Sequence, residues 1–323
     1  MRKSDWAAKA VGAIAAMGLC ASQAVAGDFA FINIATASTS GSYYPAGLAM
    51  SKLINDKLGV RASAQASAGS VENVSLLRNK EANMGIIQSN VVRDALKGDN
   101  NFKSKPYTDM VVLAPLFVNT DHILIRKGAN IASLADIKGK RWAVGSVGSG
   151  TTLSNLAILS GAGYTFNDIK VEYLGQTEAL AALQNGIIDG ADLTSGVPFS
   201  QMEQTRISEK DDLVLYSMTE AEQKSVVENS GWKSPETIPA NTYSNQPTPI
   251  RTVSHLALIM VPKEMPDKLA FDILDAMNKN MGQLRQAHSA FSTLDLATAL
   301  PKIEALKFPL HPGATKFFAS INK

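Results

Sequence analysis

The residues best suited to chemistry in this sequence are the serines, threonines and glycines of short turns that precede predicted helices. These turns are TSGSYY (39–44), SAGS (67–70) and SVGSGT (146–151), with a fourth at Gln88-Ser89, where an apolar strand ends. Such turns direct free backbone N–H groups and the positive end of a helix dipole towards one edge of a parallel sheet. Helix capping explains any single turn better. Several turns facing one cleft, however, indicate a site that binds a small anion without a cationic side chain.

Further candidates stand beside these turns. Tyr43 and Tyr44 begin a helix, where paired tyrosines either pack between domains or place one phenol in the cleft to bind a carboxylate. The Gln88 amide, at a strand end, has two N–H donors and an oxygen acceptor to satisfy. Gly196, in TSGVP (194–198), occupies the same kind of strand end in the second half of the chain. Both alternatives stay open for the tyrosines.

The sequence contains no catalytic motif that we can identify. All four histidines are isolated, and none lies at a metal-site spacing such as H-E-x-x-H. Neither a G-x-S-x-G turn nor a G-x-x-x-x-G-K-[ST] loop occurs, and GSVGSG (145–150) lacks the third glycine of the dinucleotide motif. The S-x-x-K motif occurs at 230–233 and again at the C-terminal end, which shows how easily it arises by chance. We therefore expect no catalytic residue, no metal and no cofactor, and a protein that is not an enzyme.

Composition and charge exclude other functions. The chain has 323 residues, of which 45% are hydrophobic and 19% charged, so it is too apolar to be disordered. Lys and Arg number 31 against 29 Asp and Glu, and residues 1–26 hold three of the basic and one of the acidic residues. The remainder carries 28 of each sign and has no electrostatic footprint for nucleic acid. A length of this size favours two domains, at about 100–200 residues each.

The N-terminus has the pattern of an export signal. A basic start, MRKSDWAAK, leads into the apolar run VGAIAAMGLCA and then Ala24-Val25-Ala26, which predicts cleavage between Ala26 and Gly27 and a periplasmic location. The apolar run has about half of the roughly 20 residues that a membrane-spanning helix needs. Lipidation of Cys20 is the weaker alternative, because a bulky residue precedes it. Cleavage after Ala26 leaves a protein without cysteine.

The turns alternate with strand and helix patterns in two units. In the first unit, strands at 31–38, 61–66 and 84–88 are each followed by a polar turn and a helix. This alternation predicts an α/β unit built on a mainly parallel sheet. A second unit of the same kind begins with a strand at 122–128, after the pattern restarts near 116–120.

The two units share their last strand. Residues 219–250 are polar and proline-rich and predict a long, partly irregular connection, which a buried strand at 253–261 and several helices follow. Because both units end near that strand, we expect two lobes joined by crossing segments. Residues 27–119 with 253–323 form lobe 1, and residues 120–252 form lobe 2.

Seven segments carry a resemblance to a known family. They are STSGSYYPAG (38–47), SAGSVENVSLLRN (67–79), MGIIQSNV (84–91), SLADIKGKRWAVGSVGSGT (133–151), IDGADLTSGVP (188–198), TIPANTY (237–243) and PLHPGATKFF (309–318). In this order, over nearly all of the mature chain, they resemble the TAXI family, the solute-binding proteins of one class of TRAP transporters. The resemblance implies a type II periplasmic-binding-protein fold with the ligand in the cleft between the lobes.

Carried over by position, the resemblance implies ligand contacts in both lobes. The first turn contributes Ser40, Gly41, Tyr43 and Tyr44, the rest of lobe 1 contributes Ser70, Asn73 and Gln88, and lobe 2 contributes Ser149, Gly150, Thr151 and Gly196. Ser40 and Ser42 depart from the family, whose members more often have glycine and threonine there, and this departure bears on the choice of ligand. The family lacks the arginine that grips a carboxylate in other TRAP binding proteins, and no arginine falls in these turns.

The expected function is capture of a small organic anion by hinge closure, and its delivery to a TRAP permease driven by an ion gradient. Glutamate and 2-oxoglutarate are implied as ligands by the resemblance alone. An ABC-type receptor with the same fold and a secreted hydrolase stay open as alternatives, although the missing catalytic motifs count against the hydrolase. A sensory module needs a membrane tether, and the sequence has no second apolar span. We expect a monomer whose partners are the ligand and the permease subunits, and no nucleic acid.

Overall fold

The computed structural model of the protein describes residues 29–208 and 212–321. The predicted signal peptide, its cleavage point after Ala26 and Cys20 lie outside the described residues. Within the described ranges, no helix is both long enough and apolar enough to span a bilayer.

The first α/β unit alternates strands and helices as its pattern predicts. Its elements are β1 (Phe31–Ala35), α1 (Tyr43–Leu58), β2 (Arg61–Gln65), α2 (Ser70–Arg78), β3 (Met84–Gln88) and α3 (Ser89–Lys97). Strand β1 pairs in parallel with both β2 and β3. Helix α1 ends at Gly59, whose φ of 65° lies in the left-handed region that glycine adopts without strain. Met50, Leu53 and Ile54 on the buried face of α1 join the core of this unit.

Two long strands connect the halves of the molecule. β4 (Met110–Arg126) and β10 (Ile250–Pro262) run antiparallel beside each other. The predicted strand at 122–128 is confirmed as strand up to Arg126, but its start at 122 and the restart near 116–120 are wrong, because one strand of 17 residues covers this stretch. Its polar run at 119–122 looks like an interruption in the sequence, but all four of these side chains are buried. Their hydrogen bonds, described below, explain why β4 tolerates them.

In its described residues, the second unit alternates short strands and α-helices. They are β5 (Arg141–Ala143), α4 (Thr151–Gly161), β6 (Lys170–Glu172), α5 (Gln176–Gln184), β7 (Gly190–Ser195), α6 (Ser200–Ser208), β8 (Leu213–Leu215), α7 (Glu220–Ser230) and β9 (Ser234–Ile238). β5 is parallel to β6 and β7, whereas β8 and β9 add antiparallel to β4 and β10. The expectation of an irregular connection at 219–250 is partly wrong, because α7 and β9 fall within it. A capping box of Thr219 and Glu222 begins α7 and is visible in the sequence.

All of these strands form one mixed sheet. Its order is β2-β1-β3-β10-β4-β7-β5-β6, with β8 against β4 and β9 against β10. The sheet is parallel at its two ends and antiparallel in the middle, where β4 and β10 pass from one unit to the other. Four helices follow β10, namely α8 (Asp267–Lys279), α9 (Met281–Ala287), α10 (Leu300–Leu306) and α11 (Pro312–Ile321). Helix α8 packs on α11 and on α1, so the C-terminal helices return to the first unit.

The buried side chains form separate cores on the two sides of this crossing. One core draws on residues between 29 and 117 and between 257 and 318. Two smaller clusters draw on residues between 123 and 253. A chain that builds one core from its two ends and others from its middle has two lobes. The boundaries at 119–120 and 252–253 stay a prediction; the cores change over between Phe117 and Ile123 and between Val253 and Ala257.

Candidate ligand-binding site

A cavity lies where the two lobes face each other. The volume that the centre of a water molecule can occupy in it is about 60 Å³. At roughly 10–15 Å³ for each molecule, the cavity has room for a handful of waters. The lining residues are Ala37, Ser38, Gly41, Ser42, Tyr43, Ala68, Gly69, Ser70, Gln88, Asn119, Gly145, Ser146, Ser149, Gly150, Thr151, Leu174, Gly175, Gln176, Leu193 and Thr194. None of these described lining residues carries a charged side chain.

The structure brings most of the predicted ligand contacts into this one cavity. The predicted residues that line it are Gly41, Tyr43, Ser70, Gln88, Ser149, Gly150 and Thr151. Ser40, Tyr44, Asn73 and Gly196 are not among the lining residues. The Ser40 hydroxyl lies 2.9 Å from Ser38 Oγ, and Ser38 takes its place at the wall. Of the two tyrosines, only Tyr43 faces the cavity.

Asn73 is buried, but its amide serves the fold. Nδ2 donates to the carbonyl oxygens of Thr36 at 2.6 Å and Ile86 at 2.8 Å. Oδ1 accepts a hydrogen bond from Ser67 Oγ at 2.6 Å. These bonds tie α2 to the ends of β1 and β3 and engage both ends of the amide. The predicted ligand contact at Asn73 is therefore replaced by a structural role in positioning the turn before α2.

Gly196 lies at a contact between the lobes. Its N–H points to Ser42 Oγ at 3.4 Å, and Ser42 Oγ lies 2.7 Å from Ser195 Oγ. Gly196 also borders a second groove, together with Phe117 and Pro198. Its place at the end of β7 is as the sequence predicted, but it meets the other lobe there and does not line the cavity.

Three helices begin at the cavity wall with their first amides uncapped. The residues before the first turns of α1, α4 and α5 are Ser42, Gly150 and Gly175, and none of them forms a side-chain cap hydrogen bond. All three line the cavity. The capping alternative holds for position only: Ser42 forms no cap hydrogen bond with its side chain, and Gly150 and Gly175 occupy N-cap positions without a side chain that could form one. The free N–H groups and the positive dipole ends of helices from both lobes are therefore directed at one small space.

The N-terminus of α2 is used differently. The N–H groups of Val71 and Glu72 donate across the cleft to the Gly148 carbonyl oxygen at 3.1 and 3.2 Å. The lobes approach so closely that a Cβ on Gly150 would lie 2.4 Å from the Gln88 side chain. At Gly69, with φ of +125°, a Cβ would lie 3.3 Å from the Ser149 Cα atom. These contacts define a closed arrangement of the lobes. A Cβ at Gly150 fits only if the Gln88 side chain moves, and the positive φ of Gly69 favours glycine there.

Several lining residues were not predicted as contacts. Gln176 begins α5, and its Nε2 donates to the Thr194 carbonyl at 2.7 Å. Thr194 Oγ1 lies 2.9 Å from Thr151 Oγ1. Asn119 reaches the cavity from the middle of β4. The sequence signals for these residues are a glycine before the α5 pattern and a polar run inside a long apolar stretch.

Three amide oxygens at the cavity lack a hydrogen-bond partner among the described residues. They are Gln88 Oε1, Asn119 Oδ1 and Gln176 Oε1. Leaving a buried polar atom unpaired costs about 1–3 kcal/mol. A bound ligand can recover this cost by pairing with these groups, so the cavity is built for a polar molecule.

Tyr43 presents a neutral hydroxyl to the cavity. Its side chain is 7% exposed and packs edge-on against Phe117, with ring centroids 5.8 Å apart. Burial raises the pKa of Tyr43 well above its ordinary value, although a hydrogen bond from Ser70 opposes the shift. The Ser70 hydroxyl itself accepts a hydrogen bond from the Gln88 N–H at 3.1 Å. Tyr43 thus stays protonated and available as a donor.

A buried charged cluster lies behind the cavity at the crossing strands. Lys233 Nζ is fully buried and contacts Asp121 Oδ2 and Ser154 Oγ. Burial alone would raise the pKa of Asp121, but the Lys233 charge and the hydrogen bonds of this carboxylate together outweigh burial, so this pKa lies below its ordinary value. Lys233 Nζ also lies 3.3 Å from His255 Nδ1, and burial together with that charge lowers the pKa of His255 to about 3. His255 is therefore neutral beside a charged lysine.

Asp192, on β7, has its pKa shifted in the opposite direction. Both of its carboxyl oxygens are buried and have no hydrogen-bond partner among the described residues. Burial, reinforced by the nearby Asp121 charge, raises the pKa of Asp192 well above its ordinary value. The pKa values of these neighbouring carboxyl groups therefore move apart, that of Asp121 down and that of Asp192 up. In the described chain, no group of three or more His, Cys, Asp or Glu side chains is placed to hold a metal ion.

Both the sequence and the fold are similar to those of known proteins. The sequence profile of the NMT1-like family matches residues 34–320. A protein from Bordetella bronchiseptica RB50 aligns over 90% of this chain and 89% of its own, with 17% identity and a TM-score of 0.53. A Xanthomonas citri protein bound to a chloride ion aligns over 90% and 99%, with 13% identity and a TM-score of 0.53. An ancestral arginine-binding protein bound to arginine aligns over 81% and 98%, with 15% identity and a TM-score of 0.50.

At these identities the similarity shows the fold. The curled mixed sheet, flanked by helices and divided into two lobes, is that of the type II periplasmic binding proteins. The fold class predicted from the sequence is confirmed.

Proposed function

The chain belongs to the NMT1-like family, and from that premise we propose that it is an extracytoplasmic receptor that captures a small organic anion by closing its two lobes. The predicted export signal supports the location, and the closed arrangement of the lobes supports the mode of capture.

The observation that carries this proposal is a cavity without charged side chains, around which three uncapped helix starts converge from both lobes. A helix N-terminus places about half a positive charge near its free N–H groups. In a space that excludes most water, these partial charges act in a low dielectric and attract an anion more strongly than in solution. The hydroxyl groups of Ser149 and Thr151 add further donors at the wall.

Small dicarboxylates such as glutamate or 2-oxoglutarate are the proposed ligands. This choice rests on the resemblance to the TAXI family. Helix N–H groups and hydroxyls neutralise one carboxylate, while Tyr43 and Gln88 orient the other end. The cavity in the closed arrangement holds only a handful of water-sized atoms. A five-carbon dicarboxylate is larger than this, so we expect side chains of the cavity wall to adjust when it is bound.

Closure is a hinge motion about the crossing strands β4 and β10. The Ser42–Ser195 hydrogen bond and the two N–H bonds to the Gly148 carbonyl form only when the lobes meet. A ligand that contacts both lobes stabilises the closed form by its differential affinity for it.

We further propose that the receptor delivers its ligand to a TRAP-type permease, as the seven TAXI-like segments indicate. An ABC-type receptor is the alternative, because the fold is compatible with both. Genes beside this one that encode a multi-spanning permease without an ATPase favour the TRAP assignment, and a neighbouring ATPase gene would overturn it.

Calorimetry tests the ligand class. The purified protein is titrated with L-glutamate, 2-oxoglutarate and smaller carboxylates, after native mass spectrometry has shown whether it retains a bound molecule. We expect Gln88→Ala and Ser149→Ala each to weaken binding by about 1.5–3 kcal/mol, the range for a hydrogen bond to a charged group. The control is Ser75→Ala, on the exposed face of α2. Unchanged affinity in both site variants would refute the proposed site.

A further inference from the structure

Asn119 has a distinct position in the cavity wall. It lies in the middle of β4, is 1% exposed and lines the cavity. One end of its amide, placed as Nδ2, lies 2.9 Å from His255 Nε2 and 3.4 Å from the Tyr43 hydroxyl. The other end, placed as Oδ1, is buried and has no partner among the described residues. The two ends of an amide have nearly the same shape, so their assignment follows from the hydrogen-bond network.

The constraint on this amide comes from Lys233. An ammonium group donates hydrogen bonds and cannot accept them. Lys233 Nζ lies 3.3 Å from His255 Nδ1, so Nδ1 must be the acceptor and carry no proton. A neutral imidazole with a bare Nδ1 has its proton on Nε2. Nε2 therefore donates, and the Asn119 atom that faces it at 2.9 Å must be the oxygen.

The Tyr43 hydroxyl on the opposite side is compatible with this assignment. It lies 3.4 Å from the same end of the Asn119 amide, and a tyrosine hydroxyl can donate as well as accept. The orientation of the amide therefore depends on His255 and Lys233.

We propose that Asn119 turns its NH₂ group into the cavity and donates to an acceptor oxygen of the ligand, and that His255 and Lys233 are positioning residues that fix this orientation. The proposal deepens the proposed function, on which its ligand class rests. With the amide in this orientation, the end that has no partner is the NH₂ group and not the oxygen. An NH₂ group donates, so it can pair with a carboxylate oxygen. Asn119 then lies beside Tyr43 in the cavity wall, and its NH₂ group adds a donor to the Tyr43 hydroxyl.

The orientation is tested first on the unliganded protein by ¹⁵N NMR of its histidine side chains. We expect His255 to show a protonated Nε2 and a bare Nδ1 between pH 5 and 9. A protonated Nδ1 would overturn the proposal. The matched variant combines Lys233→Met with Asp121→Asn, so that no buried charge is left unpaired. It should lose the fixed tautomer, whereas a purely structural role for Lys233 would leave the His255 signals unchanged. This test needs no ligand and stands even if the proposed ligand class is wrong.

The contribution to binding is tested with L-glutamate and 2-oxoglutarate as probes. We expect Asn119→Ala to weaken the tighter of the two by about 10- to 150-fold, the range for one hydrogen bond to a charged group. The side-chain NH₂ signals of Asn119 should shift when that probe is added to the wild-type protein. Asn90→Ala is the control, because Asn90 is 2% exposed but does not line the cavity. Equal affinity of Asn119→Ala and wild type, or an NH₂ pair that does not move, would contradict the proposal. Binding of neither probe to the wild type would instead refute the proposed ligand class.

Discussion

The hydroxyl oxygens of Ser42 and Ser195 lie 2.7 Å apart and join the start of α1 in one lobe to the end of β7 in the other. Both side chains are buried, at 9% and 1% exposure. The Gly196 N–H adds a second, longer contact to the Ser42 hydroxyl at 3.4 Å. This small cluster therefore links closure of the lobes to two of the segments that the sequence analysis selected.

Ser195→Ala should shift the lobes towards the open form. A single neutral hydrogen bond contributes about 0.5–1.5 kcal/mol, so we expect a severalfold loss of ligand affinity. Small-angle X-ray scattering of the unliganded variant should give a larger radius of gyration than that of the wild type. Ser75→Ala, on the exposed face of α2, should change neither quantity. A Ser195→Ala protein as closed as the wild type would show that this bond does not hold the lobes together.

Gly150→Ala should block closure sterically. The new Cβ would lie 2.4 Å from the Gln88 side chain, which is closer than real side-chain contacts allow. We expect affinity to fall by at least tenfold, since about 1.4 kcal/mol of strain in the closed form suffices for that loss. The thermal midpoint of the unliganded protein should change little, because the open form avoids the clash.

Gly282→Ala is the matched control for this experiment. No atom lies within 4 Å of a Cβ at this position, and Gly282 is in α9, far along the chain from the site. Calorimetry should find wild-type affinity for Gly282→Ala. Wild-type affinity for Gly150→Ala as well would mean that Gln88 moves aside at no cost.

His122 should make the protein less stable in mild acid. It is fully buried, with Nδ1 3.0 Å from the Thr120 carbonyl and Nε2 2.7 Å from the Tyr243 hydroxyl. Burial lowers the pKa of His122 from 6.5 to about 4. Between these values the unfolded chain binds a proton that the folded protein does not, so stability falls as the pH falls. At about 1.4 kcal/mol per pKa unit, the loss reaches roughly 3 kcal/mol.

Urea unfolding between pH 7 and pH 4 measures this effect. His122→Gln should lower stability at pH 7, because it disturbs the packing against Phe199 and Tyr243. It should also flatten the dependence of the unfolding free energy on pH. His288→Gln is the comparison, since His288 is only half-buried and burial is the sole cause that lowers its pKa. A slope in His122→Gln as steep as that of the wild type would contradict the assignment.

Lys233→Ala should destabilise the fold strongly. It leaves Asp121 buried beside Asp192 without its cation. Removing one partner of a buried ion pair costs about 3–5 kcal/mol. Combining Lys233→Met with Asp121→Asn should recover most of this loss, because no unpaired charge then stays in the interior. Chemical denaturation of the single and double variants checks the prediction, and a double variant no more stable than Lys233→Ala would argue against it.

Local sequence patterns predicted much of the fold. The alternation of apolar strands, Ser/Gly turns and helical periodicity gave the parallel parts of the sheet, because these signals act over a few residues. The pattern failed at β4, where the polar run at 119–122 looks like an end of the strand. Those side chains are buried because residues distant in sequence pair with them. Lys233, for example, lies 112 positions from Asp121.

The candidate site, like the fold, was predicted from the sequence only in part. Turn composition selected the segments that contain Gly41, Gln88, Ser149 and Gly150, the family resemblance implied these residues as contacts, and all four line the cavity. Asn73 belongs to the same kind of turn, yet its amide is held by backbone carbonyls of neighbouring strands. Which of two polar residues faces a cleft depends on side-chain direction and on the partner that reaches it first, and neither is encoded in spacing.

The sequence by itself determined that this chain has helix starts rich in N–H and hydroxyl donors, and no charged residue at the turns that became the cavity wall. Only the tertiary structure decided that α1, α4 and α5 point at one space, while the start of α2 is used to join the lobes. It also placed Asn119 between Tyr43 and His255. The physical reason is that hydrogen-bond capacity is a property of residue types, whereas its direction is set by contacts between segments far apart in the chain.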